Sequence, residues 1–467
     1  MVETGIVERL ETGAPHTEDV VDARISAERQ VSEAPLLSVL VFAGGFASIG
    51  VELTASRLLA PFFGSSTFIW ASLIGLTLAF LALGYFLGGR LADRRPEPVV
   101  LYAVTAVAAV AIGTIPFVSR PLLTGSLEAF RELDAGAFYG SLVGTLLLLA
   151  PPVTLLGFIS PFAIRLQVSD VASAGTTAGS LYALSTVGSI TGSFIPVLVL
   201  IPLIGTAATF ITLSLVLLVP AMAGLVLMRA RSIALAAGLA AFIVPALAVA
   251  APAGVRPPDR GILLDERESA YNYIQVVDED GRRSLILNDG HAVHSVFDPE
   301  ELLTGGPWDY FMVAPLMVED AAPPAAIPEP RDALLIGLAG GTVARQLTAA
   351  YGPIPITGVE IDPEIDEVAR EYFGLDDLEN VAVNVADGRY ALRTLDRAFD
   401  LIGIDAYRQP YIPFQLTSRE FFQEVAAQLR PGGVAVVNAG RTRTDFRLVE
   451  ALAATMRDVF LHVVAID

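Results

Sequence analysis

The chain has 467 residues, a formal net charge of −20, 53% hydrophobic residues and a mean hydropathy of +0.59. That apolarity excludes an ordinary soluble protein, and the acidity excludes a nucleic-acid binder, which needs a basic footprint. There is no cysteine, all 30 lysine-or-arginine positions are arginine, and the chain has only 4 histidines; disulfides, thiol catalysis, Schiff-base lysines and P-loop lysines are thereby excluded, and no metal site is expected.

Residues 1–34 carry acids, three arginines and no apolar run, and read as a mobile acidic tail rather than a signal peptide. Residues 35–253 contain seven apolar stretches long enough to cross a lipid bilayer, at 36–60, 66–91, 98–118, 138–163, 175–202, 205–228 and 232–251. Pro151, Pro152 and Pro161 should bend the fourth. Gly175, Gly179, Gly188 and Gly192 should let the fifth pack closely on a neighbour. Glu52 lies within the first stretch, where a charge must face protein or water.

With the amino terminus inside, the inner segments hold arginines 9, 24, 29, 90, 94, 95, 165, 229 and 231, and the outer ones only 57, 120 and 131. The positive-inside rule favours that orientation. Seven crossings would then leave the carboxyl-terminal domain outside. The expectation adopted here is a multi-pass plasma-membrane protein with a cytoplasmic catalytic domain, and the broken fourth stretch is the first suspect for a miscount.

Residues 254–330 form a small β-rich subdomain and linker, after the junction Ala251-Pro252-Ala253-Gly254. Short antiparallel strands are predicted over 261–296, with a hairpin at Asp280-Gly281. In residues 331–467, strands at 333–338, 355–361, 380–385, 399–405 and 433–438 alternate with amphipathic helices at 341–350, 363–372, 417–429 and 445–459. That alternation predicts a doubly wound α/β domain with a parallel sheet. A sixth strand is expected at 461–467, leaving an edge that is either exposed or covered by a second subunit of a homodimer.

Ligands of such sheets bind at the carboxyl ends of the strands. Four features fall there: the turn Gly337-Leu338-Ala339-Gly340-Gly341, Glu360, Asp387-Gly388 and Asp405. Glycines admit a close ligand, Glu360 suits ribose hydroxyls, and an acid with a backbone amide at 387–388 suits adenine. The set reads as an adenosyl site. An acid after a strand is also a common helix cap, so any one of them alone is weak.

Residues 262–438 resemble the spermidine synthase family of aminopropyltransferases. The resemblance lies in Glu268-Ser269-Ala270-Tyr271-Asn272-Tyr273, Asn288-Asp289-Gly290, the glycine turn, Val359-Glu360-Ile361-Asp362, Ala386-Asp387-Gly388, Asp405, Leu416-Thr417-Ser418-Arg419-Glu420-Phe421 and Arg430-Pro431-Gly432-Gly433. Glu52-Leu53-Thr54, Leu87-Gly88-Gly89-Arg90 and Gly179-Ser180-Leu181-Tyr182 resemble the multi-spanning region fused to such domains in some bacteria. The resemblance implies a Rossmann-like, methyltransferase-type domain, decarboxylated S-adenosylmethionine as donor, 5′-methylthioadenosine as product and a cationic amine or polyamine as acceptor.

By the same resemblance, Gly337, Ala339, Gly341, Glu360, Asp387, Gly388 and Asn272 bind the donor. Asp405, with Tyr271, orients or deprotonates the amine, and Asp289, His294, Asp309 and Tyr407 line the acceptor side. The departures fall on that side and in the turn. Gly340 stands where the family carries an aspartate for the donor's amino group, and Arg408 stands where a second aspartate follows the first by three residues. Asn272 replaces a glutamine after the tyrosine. Val293 or His294 replaces another, and Asp309 aligns with an acid that follows a tyrosine and histidine.

An S-adenosylmethionine-dependent methyltransferase is the alternative enzyme, disfavoured by the β-rich segment at 261–296. A nucleoside- or polyamine-binding transporter or sensor is the reading from another class.

Overall fold

The computed structural model describes residues 17–64, 66–130, 136–168, 170–250, 254–288, 292–317, 329–407, 412–440 and 445–466, with side chains from residue 35 onward except at 130, 136, 137, 241, 242, 244, 245 and 247–250. The helical half contains α1 (Thr17–Phe63), α2 (Thr67–Arg94), α3 (Pro98–Phe130), α4 (Gly136–Gly157), α5 (Ile159–Gln167), α6 (Ala174–Ile195), α7 (Ile201–Leu227) and α8 (Arg231–Ala250). Helix α1 thus starts inside the segment expected to be a tail. Residues 1–16 lie outside the described residues.

Among the described residues, five helical segments are long and apolar enough to cross a membrane: Pro35–Phe63, Thr67–Arg94, Pro98–Ala129, Phe138–Gln167 and Ala174–Leu227. The fourth breaks at Phe158 between α4 and α5, while Pro151 and Pro152 sit inside α4. The last has 54 residues, far beyond the roughly 20 that a bilayer core needs. It holds two of the expected stretches, joined by a π turn at Pro196–Leu200 and divided at Gly205, whose φ of 76° and ψ of 169° are not helical.

Half of the glycine row in α6 makes the expected close approach. A β-carbon on Gly188 or Gly192 would stand 2.2 Å or 2.3 Å from the carbonyl oxygens of Phe42 and Phe46 on α1, whereas Gly175 and Gly179 meet nothing within 4 Å.

Beyond the junction, β1 (Ile262–Glu268), β2 (Tyr273–Glu279), β3 (Arg282–Leu287) and β4 (Val293–Phe297) form an antiparallel meander. Asp280 and Gly281 both take positive φ at the hairpin between β2 and β3, which suits its tight twist.

A second sheet contains β5 (Ala333–Ile336), β6 (Ile356–Glu360), β7 (Val381–Val385), β8 (Phe399–Ile404) and β9 (Leu429–Val437), all parallel, in the order β7-β6-β5-β8-β9. On one face, α12 (Gly388–Thr394), α13 (Arg419–Ala427) and α14 (Arg447–Arg457) pack Leu392, Phe421, Phe422 and Leu452 on Leu334 and Ile402. On the other, α9 (Asp309–Val313) and α10 (Thr342–Tyr351) bring Phe311, Val343 and Leu347 to Leu335 and Leu401. Helix α11 (Pro363–Tyr372) joins the two sheets, packing Ile365 and Val368 against Ile274, Val276 and Leu285.

The sixth strand expected at 461–467 does not form: residues 461–466 follow α14 without joining the sheet, and Leu461 is 92% exposed. Its apolar pattern suits a strand, but a strand needs a neighbour to pair with.

Candidate active site

Register puts the site together. Ile336 pairs with Val359 on one side and with Ile404 on the other, so Gly337, Glu360 and Asp405 leave the sheet in one row. Strand order reverses direction around β5, which makes this row the switch point where doubly wound sheets bind ligands. Gly337 has φ 88°, and a β-carbon there would lie 2.3 Å from the Asp405 carbonyl oxygen. Only glycine lets the turn cross so close to the end of β8.

Glu360 is held by main-chain amides. Its Oε2 accepts from Ala339 N at 3.0 Å, and its Oε1 accepts from Ile361 N at 2.8 Å and Asp362 N at 3.1 Å. The residue is only 7% exposed, and burial pushes its carboxyl up to about 7 against the pull of those amides. Ala339 itself takes a positive φ of 48°, which turns its amide toward the acid. Gly341 (φ 82°) starts α10.

Asp405 is held by side chains instead. Trp308 Nε1 donates to its Oδ2 at 2.9 Å and Asn438 Nδ2 donates to its Oδ1 at 2.8 Å. Burial pushes this carboxyl up to about 6, while the two donors pull it down. The sequence alone points to neither Trp308 nor Asn438. They lie far from Asp405 along the chain, and no local motif marks them.

The other candidates divide. Asp387 caps α12, its Oδ1 accepting from Arg389 N and Tyr390 N at 3.0 Å each, and Gly388 presses on Ile336, where a β-carbon would stand 2.5 Å from Cγ2. The Tyr407 hydroxyl accepts from Gly440 N. Asn272 donates to Asp362 Oδ2 at 2.8 Å and accepts from Asn288 Nδ2 at 3.0 Å. Tyr271 is 43% exposed.

His294 lies beside Ser295, whose Oγ accepts from Gly340 N at 2.8 Å. Burial pushes the imidazole down to about 4, so it is neutral at pH 7, and its Nε2 has no partner among the described residues. Asp309 is engaged elsewhere: its carboxylate accepts from Thr304 N and Oγ1, Gly305 N and Gln346 Nε2, tying a loop to α10. Asp289 and Arg408 lie outside the described residues.

The turn carries no carboxylate, and Gly340 leaves no room for one. A β-carbon there would stand 2.8 Å from Ser295 Cβ and 2.9 Å from the Phe373 ring. What remains is two buried acids flanking one glycine turn. Burial raises both; Glu360, ringed by main-chain amides, suits a diol, and Asp405, held by two side-chain donors, suits a cationic amine that must lose a proton.

Residues 320–466 match the family model described as the spermine/spermidine synthase domain. A Bifidobacterium longum protein described as "Probable polyamine aminopropyl transferase" is 39% identical over 199 residues, 42% of either chain. The "Polyamine aminopropyltransferase" of Vibrio vulnificus is 30% identical over 205 residues, 42% of this chain and 65% of that one. Less than two thirds of either relative is therefore spanned. Among solved structures, spermidine synthase from Thermotoga maritima aligns with a TM-score of 0.35 at 20% identity, over 43% of this chain and 65% of that one.

Proposed function

Through residues 320–466 this chain belongs to the spermine/spermidine synthase domain family, and on that premise we propose that it is a membrane-embedded aminopropyltransferase. It would use decarboxylated S-adenosylmethionine as donor and an amine or polyamine as acceptor, and release 5′-methylthioadenosine. The observation that carries the reading is the Asp405 carboxyl, gripped by Trp308 and Asn438 and raised to about 6, in register with Glu360 across the glycine turn.

The buried acids fit a cationic donor. In this reading Glu360 accepts from both ribose hydroxyls, Asp387 meets the adenine, and the glycine turn lets the adenosine lie against the backbone. An aliphatic amine is protonated at neutral pH, with a pKa near that of lysine, about 10.4. An ordinary aspartate is a poor base for it, and a carboxyl raised toward the working pH is a better one. Asp405 takes the proton, and the freed nitrogen lone pair attacks the methylene carbon beside the sulfonium. The carbon–nitrogen bond forms as the carbon–sulfur bond breaks, its electron pair leaving on sulfur as a neutral thioether. The positive charge passes from sulfur to the product nitrogen.

Tyr271, Tyr407 and neutral His294 supply uncharged contacts on the acceptor side. With no carboxylate in the turn, the donor's own amino group needs another partner. The structure offers no side chain in the turn for it, so the identity of the transferred group is the point to test first. Purified protein incubated with mixed polyamines and either decarboxylated S-adenosylmethionine or S-adenosylmethionine would be read by mass spectrometry. Methylthioadenosine with an aminopropylated amine supports the proposal. S-adenosylhomocysteine with a methylated product would replace it with a methyltransferase.

The reading puts the apolar helices in a bilayer and the catalytic domain in the cytoplasm, where the donor is made. Because the chain has no cysteine, Glu300→Cys would create a single exposed thiol. Its labelling in intact cells by a membrane-impermeant maleimide would overturn the cytoplasmic placement.

A further inference from the structure

One short segment, Glu268–Asn272, from the last residue of β1 to the residue before β2, touches both the helical half and the strand-end site. On the helical side, Glu268 Oε2 accepts from Thr206 N at 2.7 Å and its Oε1 accepts from the Thr206 hydroxyl, immediately after the helix break at Gly205. Arg57, near the end of α1, donates through Nη2 to the Ser269 carbonyl. Arg256 adds a second tie, donating to the Pro61 carbonyl at 2.6 Å while its own carbonyl accepts from Gln275 at 2.8 Å.

On the site side, Ser269 Oγ donates to Asp362 Oδ2 at 2.5 Å, and Asn272 Nδ2 donates to the same oxygen. Asp362 is fully buried. Its Oδ1 accepts from Glu364 N at 3.1 Å to start α11, and its own amide donates to Glu360 Oε1. Three hydrogen bonds therefore run from Arg57 through Ser269 and Asp362 to Glu360.

A helical region that served only as an anchor would need no such contacts, since the chain already joins the two halves at 251–258. Burying Arg256, Ser269, Asp362 and the Glu268 carboxylate costs solvation that only well-made bonds offset. Of the bonds made here, those through Ser269 and Asp362 lead to Glu360, the acid that faces the glycine turn. The path alternates main-chain and side-chain groups of Ser269 and Asp362, both buried, and such a bonded path has few alternative arrangements, so a shift at one end is felt at the other.

We infer that Arg57 and Glu268 are positioning residues, through which the helical half sets the orientation of the Glu360 carboxylate by way of Ser269 and Asp362. The inference rests on the reading of Glu360 as the ribose ligand. It makes the helical half part of the donor site's support, so that donor affinity depends on α1 and on the break in α6–α7.

The test uses the full chain in lipid nanodiscs, with methylthioadenosine binding measured by calorimetry alongside steady-state kinetics. Arg57→Gln removes a charged donor and should weaken methylthioadenosine binding about tenfold. The donor KM should rise in parallel while kcat at saturating donor stays within about twofold. Arg57→Lys, which keeps a donor and its charge, should recover part of the loss. If Arg57→Gln does not fold, Thr206→Val removes only the hydroxyl bond to Glu268 and should weaken binding about threefold.

Unchanged affinity in a folded variant would overturn the link, as would a fall in kcat with affinity intact. Absence of methylthioadenosine binding by the unaltered chain would overturn the donor-site reading itself, and the inference with it.

Discussion

Glu360 and Asp405 sit in the same row of strand ends, yet they are built differently. Glu360 is fixed by three backbone amides from its own turn and the neighbouring one. Asp405 is fixed by an indole and a carboxamide from distant parts of the chain. A backbone cradle survives most sequence change, because every residue but proline brings the same N–H. A side-chain cradle changes whenever one of its two donors changes. In the proposed reading the Glu360 end is thus conservative in construction and the Asp405 end adjustable.

The largest effect expected from breaking this contrast is at Asp405. Asp405→Asn removes the proposed base while leaving the turn intact, and kcat/KM should fall about a hundred- to ten-thousand-fold. Methylthioadenosine affinity, measured by calorimetry, should stay within about threefold.

Glu360→Gln should do the reverse. It faces three amides with one acceptor fewer, and methylthioadenosine binding should weaken about ten- to a hundredfold. In the unaltered protein the same affinity should fall as pH drops below about 7, where Glu360 takes up a proton.

Trp308→Phe sharpens the comparison, since it alters only the side-chain cradle. If Asp405 is the base, as proposed, it acts when charged, and kcat/KM should decline as pH falls through about 6. The indole bond pulls that carboxyl down; its loss should move the acidic limb to higher pH and cost about tenfold at pH 7. A limb that stays in place would show that Asp405 does not control it.

The same raised value has a stability counterpart. Asp405 binds its proton more tightly folded than unfolded, so its contribution is fullest below pH 4 and is lost as pH rises through about 6. Melting curves of the Asp405→Asn variant should lack that share of the decline.

The smallest effect is expected at the turn itself. Gly340→Ala drives a methyl group against Ser295 and Phe373, which should lower stability by about 1–3 kcal/mol in a thermal melt.

This division also explains what the sequence could tell. The five parallel strands, the glycine turn, Glu360 and Asp387 are legible because each is a local pattern: an apolar run, then a turn residue, then an acid. Trp308 and Asn438 are illegible because their importance comes from a contact 97 or 33 residues away. Helix α12 is too short for its periodicity to register. Segment 461–466 has the right residues for a strand and no partner to pair with. The helical region shows the same limit: Gly188 and Gly192 press on α1 and Gly175 and Gly179 do not, a difference that spacing alone cannot carry.

The bond between Trp308 and Asp405 has a practical side. The chain contains two tryptophans, Trp70 on the apolar helix α2 and Trp308 with its indole against the carboxylate. With Trp70→Phe, all intrinsic tryptophan emission would come from a ring that touches the acid proposed to do the chemistry. The protein would then carry its own optical reporter, its fluorescence titrating as Asp405 gains or loses charge and shifting when an amine arrives beside it.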